Sequence, residues 1–245
     1  MYTPSNTFRQ GFADLAGAME RRKCEIENDI IGSVKVLQTV VRGWCAVRAN
    51  VLPMGVLWAA AAGAVAAYLM LPAFRNLLEP LSVWQTQRGW VAAFLNRVVF
   101  CGILPGIFLI TMPSLRPKKV GWVVVAYSLW AGIWGIFCDG FFTLQAMIFG
   151  DGHDFMTLVK KTLVDQLVWN VAICTPFNAI FFPWVASGFT RFGSVREGFG
   201  PMLVANWIVW LPVMVIVYVF PLPLQIQLVG FAGAIWMLVA LRSGK

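Results

Sequence analysis

The sequence predicts an all-α integral membrane protein, a polytopic bundle of about six transmembrane helices with an N-terminal amphipathic helix. Hydrophobic residues make up 59% of the 245 residues and charged residues only 12%, whereas a soluble domain carries roughly 25% charged residues. A soluble protein of this size needs more polar side chains than this to cover its surface. The apolar residues also form continuous runs, unlike the alternating strands of a membrane β-barrel. Because backbone groups have no water partners in lipid, these runs are expected to be helices.

Residues 1–50 form the predicted N-terminal head. Basic and acidic residues are interspersed there, which is untypical of a secretory signal or a mitochondrial presequence. Apolar residues recur at intervals of four and three: Ile30, Val34, Leu37, Val41 and Trp44. This spacing predicts a helix with one apolar face. Such a helix lies on the bilayer surface, packs on a partner, or leads into the first span.

Residues 51–245 form the predicted transmembrane bundle. Six apolar segments follow one another there: residues 51–71, 98–113, 120–150, 163–188, 199–220 and 224–241. A helix of about 20 residues crosses the hydrocarbon core, and the first segment meets that length. Between the first two segments, residues 73–96 mix tryptophans with charges, which predicts an interfacial helix.

The distribution of Lys and Arg predicts the orientation of the bundle. With six spans, both termini fall on the same side of the membrane, together with most of the basic residues. The positive-inside rule makes this the cytoplasmic face or its organellar equivalent. A bacterial inner membrane fits this arrangement. The net charge of +8 is thus explained by topology, and nucleic acid is not an expected partner.

Polar residues within or beside the apolar segments are the candidates for a pore lining or a polar interior: Asp139, Asp165, Gln166, Asn206 and Gln225. Such groups are costly to hold in lipid, so we expect them to face the bundle interior. Asp139 is either a cation-attracting carboxylate or a helix-end residue among the lipid headgroups. Asp165 follows Lys161 by one turn. It is either a transport residue or a carboxylate at the start of a helix, facing the N-terminal dipole.

Gly102 and Gly106 form a G-x-x-x-G motif with Pro105 inside it. The motif allows close helix packing, and the proline alternatively marks a local kink. The five cysteines are scattered and the single histidine, His153, lies in a short acidic turn, so neither a metal nor a cofactor is predicted. Motifs for phosphate binding or a nucleophilic serine do not occur, and an enzyme is not expected. An intramembrane enzyme would need acids and His153 to converge on one cleft.

Residues 134–243 carry several motifs in a fixed order. Residues 160–166 read K-x-x-L-x-D-Q, Asn206 to Pro212 reads N-W-x-x-W-L-P, and Pro221 to Gln225 precedes a late Trp236. In order and spacing these motifs resemble the Mpv-seventeen/peroxisomal membrane protein twenty-two family, although Gln225 stands where that family has an arginine. The resemblance implies a small multi-helix protein of a peroxisomal or mitochondrial inner membrane that forms a channel-like pore for small solutes.

The sequence therefore predicts a channel-like pore for small solutes or ions. The alternative is a non-transporting membrane scaffold or assembly protein, because the same polar side chains can tie helices together by hydrogen bonds. The expected partner is the lipid bilayer. Further copies of the chain are compatible with the glycine motif, which allows a homo-oligomer.

Overall fold

The computed structural model describes Val41, Trp44 and residues 51–111 and 119–243. Apart from those two helical residues, the predicted N-terminal amphipathic helix lies outside the described residues. Across the described part, every element of regular structure is a helix, and this confirms the predicted all-α class.

The first two helices form one bent apolar unit. Helix α1 (Val51–Met70) is followed directly by α2 (Pro72–Arg88), and the two are bent by 105° at their junction. Arg75 satisfies the end of α1, because its Nε and Nη2 atoms donate to the backbone carbonyls of Tyr68 and Leu69 at 2.5 and 2.6 Å. Carbonyls at a helix end otherwise have no partner. The bend is that of a broken span or a re-entrant loop.

The next span consists of three consecutive helical elements: α3 (Trp90–Arg97), a π-helical segment (Val98–Ile103) and α4 (Leu104–Thr111). Trp90–Ile107 is long and apolar enough to cross a membrane. The predicted boundary between an interfacial helix ending at residue 96 and a span starting at residue 98 is therefore wrong. Asn96 and Arg97 lie within the span, and both are buried.

The remaining elements complete the bundle: α5 (Val120–Phe149), α6 (Phe155–Val164), a second π-helical segment (Asp165–Cys174), α7 (Thr175–Ala186), α8 (Val195–Val217) and α9 (Leu222–Ser243). Helix α5, helix α8 and the continuous stretch Phe155–Val185 are candidate spans. With Trp90–Ile107, the described residues contain four candidate spans, or up to five if the bent α1–α2 pair is one span. The count of six stays a prediction that depends on α1 and α9.

The outside of the bundle is apolar. Large side chains there are 70% or more exposed: Met70, Trp122, Met147 and Phe155. In water such a surface would promote association, whereas in a bilayer it contacts the lipid tails. The four apolar helices and this apolar outer surface are those of an integral membrane protein.

Two basic side chains are buried within the bundle. Arg97 is 5% exposed and Lys161 is 1% exposed. The predicted topology counts both on the outer side of the membrane, and that side stays a prediction. The positive-inside rule counts loop charges, so neither residue informs the orientation of the chain.

Glycines bring the second span close to α5. An ideal Cβ atom on Gly106 would lie 2.8 Å from Val124 Cγ2, and one on Gly102 would lie 2.5 Å from the Cα atom of Ser128. The G-x-x-x-G motif thus lies at a tight helix contact. Further along α5, a Cβ atom on Gly135 would lie 2.5 Å from a backbone oxygen of α3. This close approach brings Arg97 against α5.

Candidate functional site

A cavity of about 100 Å³ lies inside the bundle, between the second span, α5, the Phe155–Val185 span, α8 and α9. This space holds several water molecules or one small solute. Its polar lining residues come from three spans: Arg97, Asp165, Gln166, Asn170, Asn178 and Asn206. Its aromatic lining residues are Trp130, Trp134, Phe142, Trp169, Phe182, Trp210 and Trp236. Polar groups that converge in an otherwise aromatic pocket are typical of a ligand site.

The carboxylate of Asp165 has a hydrogen-bond donor on each oxygen. The hydroxyl of Tyr218, at the end of α8, donates to Oδ2 at 2.9 Å, and Gln166 Nε2 donates to Oδ1 at 2.8 Å. Asp165 and Gln166 are both buried at the start of the second π-helical segment. Hydrogen bonds of this kind satisfy a polar group that the bundle removes from water.

The hydrogen bonds continue from Gln166 along the same span. Asn170 Nδ2 donates to Gln166 Oε1 at 3.1 Å, and Asn170 Oδ1 accepts from Thr175 Oγ1 at 3.0 Å. A π-helix aligns residues about five apart, which explains how Asn170 and Thr175 meet. On α8, Asn206 Nδ2 donates to Asn170 Oδ1 and to Thr175 Oγ1, at 3.2 Å each. We call Tyr218, Asp165, Gln166, Asn170, Thr175 and Asn206 the cavity network.

Arg97 lies on another wall of the cavity. Its Nη1 atom donates to the backbone carbonyl of Val229 at 3.2 Å and lies 3.6 Å from Cys101 Sγ, while Nη2 lies 3.5 Å from Cys138 Sγ. Its buried Nε has no hydrogen-bond partner among the described residues. Within the same part of the chain, no carboxylate lies within 4 Å of the guanidinium. A guanidinium is always charged in proteins, and the groups that accept its hydrogen bonds are all neutral.

A second group of buried polar side chains lies away from the cavity. Gln85 Nε2 donates to Asp139 Oδ1 at 2.9 Å, Gln227 Nε2 donates to Gln85 Oε1 at 3.1 Å, and Asn96 Nδ2 donates to Gln227 Oε1. We call these four residues the interhelical network. It joins α2, α3, α5 and α9, and none of its members lines the cavity.

The five candidates from the sequence divide between these environments. Three line the cavity: Asp165, Gln166 and Asn206. Asp139 belongs to the interhelical network and is half-buried. Gln225 is buried near the start of α9, where its Nε2 donates to the backbone carbonyl of Phe220 at 2.9 Å.

Asp165 begins the second π-helical segment but lies inside the continuous span Phe155–Val185, not at its N-terminus. The residue that caps α6 is Asp154, because its Oδ1 accepts from the backbone N–H of Thr157 at 3.1 Å. Hydrogen bonds from the side chain and backbone of Thr157 also hold the pKa of Asp154 below its usual value. Asp165 follows the ten residues of the capped helix. The predicted pairing with Lys161 does not form, since Lys161 Nζ lies 3.8 Å from Asp151 Oδ1 instead.

Sequence reasoning missed several members of the site. Asn170 carries a usable signal, because it follows Gln166 by four residues and so shares its helix face. Arg97 is missed because a charge at the edge of an apolar run is ordinarily assigned to a loop. Tyr218 meets Asp165 from 53 residues away, and no local spacing indicates that contact.

The fold and the cavity define a polytopic helical membrane protein with a mostly apolar internal pocket into which several polar side chains converge. Among the described residues, no three His, Cys, Asp or Glu side chains are grouped as a metal site. No family model matches the chain, and comparisons with curated proteins and with solved structures give no match either. The resemblance to the Mpv-seventeen/peroxisomal membrane protein twenty-two family rests on its motifs and stays a prediction.

Proposed function

We propose that this protein provides a pathway for small solutes across the membrane, with the internal cavity as the place where the solute binds. The observation that carries the proposal is the cavity of about 100 Å³ bordered by buried amides and charges. Polar groups inside a membrane bundle cost free energy to hold there. A bundle that only had to be stable would pack them without leaving space beside them.

The chemistry of the lining suits small polar solutes. Asn206 Oδ1 is buried without a hydrogen-bond partner among the described residues. A rotation of the amide would present this acceptor to a solute in the cavity, which the Asn206 side chain lines. The half-buried amide of Asn178 adds a second polar group. Indole rings enclose the rest of the space and limit the size of what fits.

The scaffold alternative has its own supporting observation. The interhelical network links four helices by hydrogen bonds and does not border the cavity described above. Its contribution is to helix association. If the cavity network did the same, the protein would hold helices together and would pass no solute. Solute flux separates the two functions.

The test is osmotic swelling of liposomes that contain the purified full-length protein. Light scattering follows the entry of urea, glycerol and glucose, three uncharged solutes of increasing size. We expect urea and glycerol to enter faster than into protein-free liposomes, and glucose to enter at the protein-free rate because it exceeds the cavity. Equal rates for all three solutes with and without protein would leave the scaffold as the function.

A matched pair of variants assigns the flux to the cavity. Asn206→Leu replaces a polar wall group with an apolar one of similar volume, and we expect it to lower urea entry by about fivefold or more. Gln225→Leu removes another buried amide that does not line the cavity, and we expect no change in urea entry. Equal effects of the two variants would place the pathway elsewhere in the protein.

A further inference from the structure

We propose that the cavity binds a small organic carboxylate and that Arg97 is the residue that binds its charge. The inference rests on the proposed function in taking the cavity as the place where a solute binds. It adds the chemical class of that solute.

The first support is the state of the Arg97 side chain. A guanidinium has five N–H donors and needs a negative partner when it is taken out of water. Arg97 is 5% exposed, yet its acceptors are one backbone carbonyl and two thiol groups. Its Nε atom has no acceptor among the described residues. The cavity beside it is the space from which an anion would complete this set.

The second support is that Asp165, the acidic side chain in the cavity wall, is already bound elsewhere. Each of its oxygens accepts a hydrogen bond, one from Tyr218 and one from Gln166. It forms no ion pair with Arg97 in the described part of the chain. The cavity wall therefore contains a positive group whose Nε has no acceptor and a negative group with a donor on each oxygen. The positive group is the one that gains more from a ligand.

The shape of the cavity selects the rest of the ligand. The planar guanidinium fork matches the two oxygens of a carboxylate. Trp130 and Trp134 stack with ring centroids 5.6 Å apart, and with Trp169 they offer flat apolar contacts in the same cavity. A volume of about 100 Å³ admits a carboxylate of about three or four carbons and little more. A hydroxyl or carbonyl group on such a molecule would meet the free oxygen or the amide of an asparagine.

The first experiment uses the wild-type protein alone. Equilibrium dialysis of the detergent-solubilised full chain against radiolabelled lactate measures binding, and lactamide is the neutral probe of nearly the same shape. We expect saturable lactate binding about tenfold or more tighter than lactamide binding, since one bidentate charged contact is worth at least that factor. Equal affinities for lactate and lactamide, or no lactate binding, would overturn the proposal without any variant.

Three variants then locate the charge. Arg97→Met keeps an unbranched side chain without charge, and we expect it to lose lactate binding while lactamide binding is retained. Arg97→Lys keeps the charge without the fork and should retain part of the affinity. Asp165→Asn removes the negative charge from the opposite wall, so lactate binding should tighten. Unchanged lactate affinity in Arg97→Met would overturn the assignment; if that variant does not fold, unchanged affinity in both Arg97→Lys and Asp165→Asn would do so.

Flux in liposomes separates this proposal from the pathway itself. If urea enters the liposomes but the protein binds lactate and lactamide equally, the result supports the pathway and contradicts the anion site. If lactate binding depends on Arg97 but no solute crosses the membrane, the result supports the anion site and contradicts the pathway. Lactate flux that falls in Arg97→Met at unchanged urea flux is the result that we expect.

Discussion

The cavity network and the interhelical network consist of the same kinds of side chain, yet they stand in different surroundings. Each contains one aspartate surrounded by buried amides. Each network also includes one unpartnered amide oxygen among the described residues, on Asn206 and on Asn96. The cavity network lies beside an open space. The interhelical network does not border this cavity, and its aspartate is half-buried. Buried polarity in a membrane bundle therefore does not by itself mark a site; space next to the polar groups does.

Local backbone geometry accounts for the difference. The cavity network follows a π-helical segment of ten residues, whose wider turn alters which side chains share a face. The interhelical network instead depends on close helix contact. An ideal Cβ atom on Gly230 would lie 2.9 Å from Asn96 Cγ, so the absence of a side chain there leaves room for Asn96 to reach Gln227. One network is shaped by a helix irregularity and the other by a small residue.

The largest expected change in the free energy of unfolding is that caused by Asn170→Leu. Asn170 makes three hydrogen bonds in the cavity network, and its loss leaves Gln166 Oε1 without a donor inside the bundle. We expect unfolding to become easier by about 2 to 4 kcal/mol, because unpaired buried polar groups cost about 1 to 3 kcal/mol each. Thermal unfolding in detergent measures this, with Thr175→Val as the milder control. Equal stability of Asn170→Leu and wild type would contradict the continuous network.

A second prediction uses the same substitution in an open and in a closed region. Ala131 lines the cavity, whereas Ala93 on α3 is fully buried against α5. Ala131→Leu should fill the cavity and lower urea entry about tenfold, a barrier of roughly 1.4 kcal/mol, with little change in stability. Ala93→Leu has no space and should destabilise by about 1 to 3 kcal/mol. Swelling and thermal unfolding of both variants are compared, and identical profiles would mean that the cavity is not the pathway.

A third prediction concerns the interhelical network. Gln85 donates to Asp139 and to the backbone carbonyl of Gly89 and accepts from Gln227, so Gln85→Leu removes all three contacts. We expect a loss of about 1 to 2 kcal/mol in unfolding free energy, and no change in urea entry per folded protein. Asp139→Asn preserves an acceptor for Gln85 and should be milder. A selective loss of flux in Gln85→Leu would make this network part of the pathway as well.

The class of the fold could be predicted from the sequence, but the site could be predicted only in part. Continuous apolar runs require helices in lipid wherever they occur, so the helical class follows from composition. Asp165 and Asn206 were recognised because a polar group in an apolar run stands out. Asp139 stands out equally and lies outside the cavity. Whether such a residue lines the cavity depends on how its helix is rotated in the bundle. That rotation is set by contacts between spans that are distant in the sequence.

The buried charge of Arg97 also shows what the sequence alone does not predict. Rules for loop charges assign Arg97 to the membrane surface, although it lies in the cavity wall. What stabilises it there is a backbone carbonyl of α9, 132 residues along the chain, and the thiol of Cys138 on α5. Neither partner carries a sequence signal. The residue that matters most for the proposed ligand is therefore the one that sequence rules exclude.

The smallest expected effect on stability lies outside both networks. It concerns Asp154, which caps the span that contains the buried Asp165. Asp154 is exposed and caps α6 through the backbone N–H of Thr157. Its pKa is lowered in the folded protein, so its contribution to stability is present above the ordinary aspartate pKa of about 3.9 and is lost as the pH falls below it. Asp154→Ala should therefore lower the unfolding midpoint slightly at neutral pH and by less in acid, where the wild-type carboxyl is itself a neutral cap. Asp154→Ser retains a neutral cap and should lose less at neutral pH. Thermal unfolding across pH measures the three proteins, and an Asp154→Ala effect that persists unchanged in acid would mean that the carboxylate charge does not contribute to the cap.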